Sequence, residues 1–193
     1  MLRIIGGSAR GRRLKGPPEG SARPTSDRVR EALFNILAPW VPGSRFLDLF
    51  AGSGAVGLEA LSRGAARAVF VEANPRVAAV LQANLSATGL GPKAEVYRNS
   101  FERALADLAA GGESFDLVFI DPPYRRGLED AALRALCQYN LLAPGGMAVA
   151  ESDRTHLPPA EIAGLALWRR ERYGDTTLSF YRRLENSGEE GVH

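Results

Sequence analysis

Strand and helix patterns alternate regularly between residues 45 and 151, and this alternation constrains the fold more than any other feature. Short apolar segments such as 46–50 and 115–120 predict buried strands. The segments between them predict helices, because their apolar residues have helical spacing and glycine or proline stands at their ends. Parallel strands require such crossovers, so we expect an α/β fold with a mostly parallel central sheet and helices on both faces.

Segments at both ends of this pattern predict additions to the sheet. Residues 166–173 and 177–183 have the pattern of a hairpin and predict an antiparallel C-terminal edge. Residues 1–17 alternate apolar with basic or glycine residues, which predicts a short N-terminal hairpin. A helix is expected over about 27–38, with Ser26 or Thr25 as its cap.

The length of 193 residues fits one domain with a small appendage. We therefore divide the chain into a basic hairpin and helix at 1–43, a main domain at 44–184 and a disordered polar tail at 185–193. The sequence contains no membrane span and no secretory signal, and its single cysteine excludes an internal disulfide, so we expect a cytoplasmic protein. No metal site is expected, because the two histidines lie far apart.

Positive charge is concentrated at the N-terminus. Residues 1–30 contain eight basic and two acidic residues, a local charge of +6 that leaves −4 for the rest of the chain. Such asymmetry indicates a polyanion, and nucleic acid is the first candidate, although a solvated basic arm without a partner stays open. The basic residues are Arg3, Arg10, Arg12, Arg13, Lys15, Arg23, Arg28 and Arg30.

A glycine-rich turn at 48–57 lies between the first strand and the following helix. Its glycines allow a tight turn and a close approach of the backbone to a ligand. Together with Glu72 at the end of the next strand, the spacing suits either a nicotinamide dinucleotide or S-adenosylmethionine. Asp48 favours S-adenosylmethionine, because a carboxylate can hold the methionine ammonium through solvent or loop amides but would repel a pyrophosphate. Asn99 can contact an adenine, whereas Ser100 can equally be a helix cap.

The tetrapeptide Asp121-Pro122-Pro123-Tyr124 follows the fourth predicted strand directly. The two prolines end the strand and hold the backbone extended. A carboxylate, a carbonyl and an aromatic ring are then presented together, which suits a flat amine. Asp121 and the Pro122 carbonyl would accept the amine hydrogens, while Tyr124 would stack on a base taken out of its helix or loop. A plain strand terminator is the structural alternative.

These motifs, together with segments 3–7, 23–35 and 121–127, resemble the bacterial RsmD family of class I amino-methyltransferases, which methylate the exocyclic amine of a guanine in 16S ribosomal RNA. The resemblance implies a Rossmann-like class I methyltransferase fold and S-adenosylmethionine as methyl donor. It also implies 16S ribosomal RNA or the assembling small subunit as partner. The implied catalytic residues are Asp121, Pro122, Pro123 and Tyr124; the cofactor residues are Asp48, Phe50, Gly52, Ser53, Gly54, Glu72, Ala73, Asn99, Ser100, Thr25 and Asp27; the RNA-binding residues are Arg3, Arg10, Arg12, Arg13, Arg23, Arg28, Arg30, Arg125 and Arg126.

Three other functions compete with this interpretation. A DNA adenine or cytosine amino-methyltransferase could use the same tetrapeptide, but such enzymes generally need a substantial target-recognition region and only about 44 residues precede the first predicted sheet strand. A nicotinamide-dependent oxidoreductase would explain the glycines and leave the tetrapeptide unexplained. A non-catalytic RNA-binding protein would leave both motifs unexplained. A monomer is expected, since no apolar stripe is left over.

Overall fold

A twisted central sheet organises the chain in the computed structural model, which describes residues 2–18, 25–123, 127–153 and 155–184. The elements follow one another in the order that the sequence predicts, with β and α segments alternating through the middle of the chain. They are α1 (Asp27–Leu37), β1 (Arg45–Asp48), α2 (Ala55–Ser62), β2 (Arg67–Val71), α3 (Pro75–Thr88), a 3₁₀ turn (Gly91–Lys93), β3 (Ala94–Tyr97), α4 (Phe101–Ala110), β4 (Phe115–Ile120), α5 (Leu128–Gln138), β5 (Leu142–Asp153), β6 (Glu161–Ile162), β7 (Leu165–Tyr173) and β8 (Thr176–Arg183).

The described strands form one sheet in the order β3-β2-β1-β4-β5-β8-β7-β6. Strands β1 to β5 pair in parallel, whereas β8 is antiparallel to β5 and β7 is antiparallel to β8. The predicted α/β class and antiparallel C-terminal edge are therefore confirmed. The order reverses between β1 and β4, and crevices at such a reversal are where open α/β sheets bind their ligands.

Both faces of the sheet are buried, because consecutive residues of each central strand point to opposite sides. In β4, Leu117 and Phe119 pack with α1, α2 and α3, whereas Val118 and Ile120 pack with α4 and α5. This arrangement explains why the central strands are continuous apolar runs. Among the helices that the structure describes, none is long and apolar enough to cross a membrane.

Polar caps begin the helices where the sequence predicts them. The Ser26 hydroxyl accepts from the amide of Val29 at the start of α1, and the Ser100 hydroxyl accepts from Arg103 at the start of α4. Asn74 accepts from the amides of Arg76 and Val77, with Pro75 at the first position of α3. The helix starts that border the ligand side of the sheet are thereby fixed.

Two elements differ from the sequence prediction. The segment Pro144-Gly145-Gly146, whose residue types predict a turn, lies inside β5, which begins at Leu142 and pairs with β4 through a register shift between Phe115 and Leu117. The short strand β6 was not predicted, because two residues cannot display an alternating pattern.

The N-terminal hairpin forms around an antiparallel bridge between Arg3 and Arg13. The amide of Ile4 donates to the Arg12 carbonyl at 3.0 Å. Ile4 and Leu14 are buried in the same apolar core as α2 and β1. The hairpin is therefore packed against the main sheet domain, and its backbone lies beside the helix that follows the glycine-rich turn.

Candidate active site

A cavity of about 500 Å³ lies at the C-terminal ends of β1, β2 and β4. Both predicted motifs contribute to it: the glycine-rich turn forms one wall, and the residues after β4 form another. The predicted site residues that line the cavity are Thr25, Asp48, Phe50, Gly52, Ser53, Glu72, Ala73, Asn99, Ser100, Asp121 and Pro123.

The glycine-rich turn needs two of its glycines for different physical reasons. Gly54 begins α2 with φ of 82°, a left-handed conformation that glycine adopts without strain. Gly57 lies on the first turn of α2, and a Cβ atom there would come within 2.3 Å of the Phe70 ring on β2. Gly57 therefore allows the helix to pack closely on the sheet. Gly54 does not line the cavity, so its contribution is to the backbone of the turn.

Asp48 is fixed at the end of β1 by the helix that follows it. Its Oδ2 accepts a hydrogen bond from the amide of Gly57 at 2.9 Å, and the residue is 2% exposed. Burial, with a smaller contribution from the nearby Glu72 carboxylate, raises the pKa of Asp48 from 3.8 to about 7, although the Gly57 hydrogen bond acts in the opposite direction. A cation in the cavity would stabilise the ionised form of this carboxyl group.

Glu72 holds the far side of the turn. Its Oε2 accepts from the Gly52 amide at 3.0 Å, and its Oε1 accepts from the Asn74 amide at 2.7 Å. The side chain lines the cavity with lone pairs left to accept from a ligand hydroxyl. Glu72 therefore both shapes the glycine-rich turn and presents acceptors to the cavity.

Three of the predicted cofactor residues form another part of the cavity wall. Asn99, Ser100 and Phe50 line it, and the Phe50 ring lies 5.3 Å from that of Phe101, measured between ring centroids. The Ser100 hydroxyl also caps α4, so both readings of this residue are compatible with its position. Phe101 was missed, although an aromatic residue directly after Asn99-Ser100 is a signal that sequence reading could have used.

Asn84 is a second residue that the sequence analysis missed. It is buried inside α3, where its Nδ2 donates to the Ser53 carbonyl at 2.9 Å and to the Lys15 carbonyl at 2.9 Å. Its Oδ1 accepts from the Lys15 amide at 2.8 Å. Asn84 therefore ties the glycine-rich turn to the N-terminal hairpin. Its place on the apolar face of α3, between Leu81 and Leu85, is the sequence signal that could have found it.

Asp121 stands at the end of β4 and meets two side chains from distant parts of the chain. The Thr25 Oγ1 lies 3.2 Å from Asp121 Oδ2 and 3.0 Å from Glu151 Oε2. Burial and the neighbouring Glu151 carboxylate raise the pKa of Asp121 well above its ordinary value, and Asp48 and Glu129 act in the same direction. Burial also raises the pKa of Glu151, to about 7. Glu151 was not predicted as a site residue, although an acid at the end of an apolar strand is an available signal.

The rest of the tetrapeptide is only partly described. Pro122 is buried and does not line the cavity, whereas Pro123 is exposed and lines it. Tyr124, Arg125 and Arg126 lie outside the described residues, as does Arg23. Their predicted roles therefore stay predictions.

Two predicted ligand contacts need correction. Asp27 does not line the cavity; its carboxylate lies 3.0 Å from Arg30 Nη2 and 3.8 Å from Arg3 Nε. Arg30, predicted to bind RNA, is fully buried and also reaches the Arg3 carbonyl and the carboxylate of Glu59, at 3.7 Å. Both residues fasten the hairpin to α1 and α2. Arg30 shares a helix face with Leu33, Phe34 and Leu37, a spacing that explains its burial.

The other described arginines of the N-terminal segment remain on the surface. Arg3, Arg10, Arg12, Arg13 and Arg28 are exposed. Arg12 donates to the Ala87 carbonyl at the end of α3, at 2.9 Å. An exposed basic surface therefore lies on the hairpin and the start of α1.

The chain is similar to a known family model and to several known proteins. The family model described as conserved hypothetical protein 95 matches residues 2–182. The chain is 42% identical to "Ribosomal RNA small subunit methyltransferase D" of Escherichia coli strain K12, over 98% of this chain and 93% of that protein. It is 41% identical to "Putative rRNA methyltransferase YlbH" of Bacillus subtilis strain 168, over 94% and 99%. A solved structure of "Putative methyltransferase yhhF" from Escherichia coli has a TM-score of 0.82 at 38% identity, covering 94% of this chain and 97% of that one.

Proposed function

The chain belongs to the family described as conserved hypothetical protein 95, the RsmD family, and from that premise we propose that it methylates ribosomal RNA. The reaction transfers a methyl group from S-adenosylmethionine to the exocyclic amine of a guanine in 16S ribosomal RNA. The relatives named as small-subunit methyltransferases support the RNA class, and the chain covers nearly their whole length.

The acidic side chains that line the cavity give the strongest support for S-adenosylmethionine as the cofactor. Its described lining contains the acids Asp48, Glu72, Glu102 and Asp121, and neither lysine nor arginine occurs among those lining residues. An acidic lining attracts a cation and repels a pyrophosphate, so it suits S-adenosylmethionine and disfavours a nicotinamide dinucleotide. Its volume of about 500 Å³ is within the ordinary range of cofactor sites.

The chain's own residues divide the work of holding this cofactor. Asp48 would hold the methionine ammonium through the turn that it fixes, and Glu72 would accept from the ribose hydroxyls. Asn99 would lie beside the adenine, and Phe50 lines the same cavity. When bound, S-adenosylmethionine supplies an activated methyl group on a positively charged sulfur.

Asp121 holds the amine that receives the methyl group. An exocyclic amine of a base is a poor nucleophile, because its lone pair is delocalised into the ring. A hydrogen bond from the amine to the Asp121 carboxylate would favour a pyramidal nitrogen whose lone pair is directed at the methyl group, and the Pro122 carbonyl stays a predicted second acceptor. Tyr124 stacks on the base, and positioning with electrostatics supplies most of the rate.

The basic N-terminal surface supplies contacts for the RNA. Exposed Arg10, Arg12, Arg13 and Arg28 contact phosphates, and Arg125 and Arg126 do so beside the target base. The enzyme acts in the cytoplasm, where small subunits are assembled, as a monomer and without a metal ion.

The decisive experiment maps modified nucleotides in ribosomal RNA from a strain lacking this protein and from the same strain with it restored. We expect one guanine of 16S RNA to lose and regain a methyl group. Labelling of DNA in preference to 16S RNA by the purified protein would favour the DNA amino-methyltransferase instead. Calorimetric titration with S-adenosylmethionine and with NADH tests the cofactor separately.

A further inference from the structure

Three polar side chains meet behind the proposed amine site. The Thr25 hydroxyl oxygen lies 3.2 Å from Asp121 Oδ2 and 3.0 Å from Glu151 Oε2. Thr25 is 7% exposed and Glu151 is 3% exposed. Thr25 and Asp121 line the cavity, whereas Glu151 is not among its lining residues. The Thr25 hydroxyl therefore connects Glu151 to Asp121 at the cavity wall.

The number of hydrogens on these groups restricts their charge. A threonine hydroxyl carries one hydrogen, so it can donate to only one of the two carboxyl groups. The second contact is a hydrogen bond only when the other carboxyl group carries a proton and donates it to Thr25. A buried carboxyl group and a half-buried one this close also cannot both ionise without mutual repulsion. The geometry is therefore satisfied by one proton shared between Asp121 and Glu151.

We propose that Glu151 is a positioning residue that takes this shared proton through the Thr25 hydroxyl when the amine binds, and so leaves Asp121 as a carboxylate. The inference deepens the proposed function and rests on it. Amine hydrogens directed at Asp121 favour its ionised form. The proton on Asp121 Oδ2 then passes to Thr25 Oγ1 while the Thr25 hydrogen passes to Glu151 Oε2. No net proton enters or leaves the pair in this step.

The charged surroundings explain why a local proton acceptor is useful. Asp48 at the end of β1 and Glu129 on α5 face Asp121, and both acids oppose its ionisation, as Glu151 itself does. Losing the shared proton to solvent would leave another negative charge in this acidic region. Only the Thr25 hydroxyl separates Glu151 from Asp121, so a proton taken up by Glu151 stays within the pair. The net charge of the pair is then unchanged while Asp121 becomes an acceptor.

The first test measures kcat against pH for the parent, Glu151→Gln, Thr25→Val and Thr25→Ser, with 16S RNA and S-adenosylmethionine. The parent should lose activity at low pH, because the doubly protonated pair presents no Asp121 carboxylate. It should also lose activity at high pH, because the doubly ionised pair leaves one carboxylate without the Thr25 hydrogen that holds it in place. The amide of Glu151→Gln cannot ionise, so this variant should lack the alkaline decline while its KM values stay close to those of the parent. Identical pH profiles for the parent and Glu151→Gln would overturn the proposal.

The threonine variants separate the hydroxyl from the shape of the side chain. Thr25→Val should lower kcat by about tenfold or more, the effect of leaving a buried carboxyl group without its partner. Thr25→Ser keeps the hydroxyl and should restore most of that loss. Equal kcat values for these two variants would also overturn the proposal.

A second readout does not need methyl transfer at all. Because the pKa of Glu151 is raised, the parent should lose stability as pH rises from the ordinary range of a glutamate toward about 7. Glu151→Gln should lose less over the same range, measured as the free energy of unfolding in urea. If the parent methylates no RNA, the proposed function fails. The unfolding comparison still tests proton sharing, because equal slopes of stability against pH for the parent and Glu151→Gln would refute it.

Discussion

At the scale of single residues, a substitution of Asp121 tests the proposed chemistry most directly. Asp121→Ala removes the acceptor for the amine but leaves the residues that shape the glycine-rich turn in place. We expect the methyl-transfer rate to fall by about 10²-fold or more, the range for a positioned proton-accepting group. Single-turnover transfer to 16S RNA measures the rate, and calorimetry should give a nearly unchanged affinity for S-adenosylmethionine.

A matched control for Asp121→Ala is Asp107→Ala, which removes an exposed carboxylate from α4. A surface change of this kind should alter the rate by no more than about twofold. If Asp121→Ala unfolds the protein, as its circular dichroism would reveal, the carboxylate has a structural role instead.

Apart from Thr25, the predicted site residues that line the cavity share one property: each stands at the end of a strand or soon after it, which places its side chain at one edge of the sheet. Asp48, Glu72, Asn99 and Asp121 each follow a parallel strand, and parallel strands end at the same edge of the sheet. Arg30 was misassigned because a charge count does not say which helix face a residue occupies. The contact between Glu151 and Thr25 could not be predicted, because the two residues lie 126 positions apart and no local pattern encodes such a contact.

At the scale of elements, the packing of α2 on β2 depends on Gly57. An alanine in a helix normally adds about 0.5–1 kcal/mol of stability over glycine. Here the added Cβ would come within 2.3 Å of the Phe70 ring, a core group that cannot move freely. Overpacking costs about 1–3 kcal/mol, so the collision outweighs the gain in helix propensity.

We therefore expect Gly57→Ala to lower the free energy of unfolding in urea and to weaken S-adenosylmethionine binding, because the Gly57 amide also orients Asp48. Gly91→Ala provides the control, since open space surrounds that position, and its effect should stay within about 0.5 kcal/mol. Equal stability of the two variants would show that α2 can shift without cost.

The hairpin and α2 are joined by a buried carboxylate that no sequence pattern predicted. Glu59 is fully buried and accepts from the amides of Ile5 and Gly6, both at 2.8 Å, and from Arg63 Nε at 2.7 Å. The periodic strands and helices were predictable because each has a local apolar repeat. The attachment of the hairpin was not, since it rests on hydrogen bonds between segments more than fifty residues apart.

At the scale of the whole molecule, buried carboxyl groups make stability depend on pH. The pKa of Asp48 is raised from 3.8 to about 7, so the folded state binds this proton more tightly than the unfolded chain does. Stability from this group is complete below about pH 4 and is lost as pH rises toward about 7, at about 1.4 kcal/mol per pH unit.

Asp48→Asn keeps an oxygen for the Gly57 amide and removes the titration. Urea unfolding at several pH values should therefore show a shallower loss of stability between about pH 4 and 7 in Asp48→Asn than in the parent. Parallel curves would mean that Asp48 is ionised in the folded protein throughout this range.

The cavity and the N-terminal hairpin carry opposite charges. The cavity is lined by acids, so phosphates must be held elsewhere, and the exposed arginines of the hairpin are the described groups suited to that work. Each phosphate contact releases counterions, which steepens the dependence of RNA affinity on salt by about 0.7–0.9 in a double-logarithmic plot. Replacing Arg10, Arg12 and Arg13 together by glutamine should therefore reduce that slope by about 2 and weaken binding to 16S RNA at low salt, while the affinity for S-adenosylmethionine stays the same. Replacing three other exposed arginines by glutamine, Arg134 of α5 together with Arg169 and Arg172 of β7, is the control for charge alone. An equal loss of slope in both variants would mean that RNA responds to overall charge rather than to the hairpin.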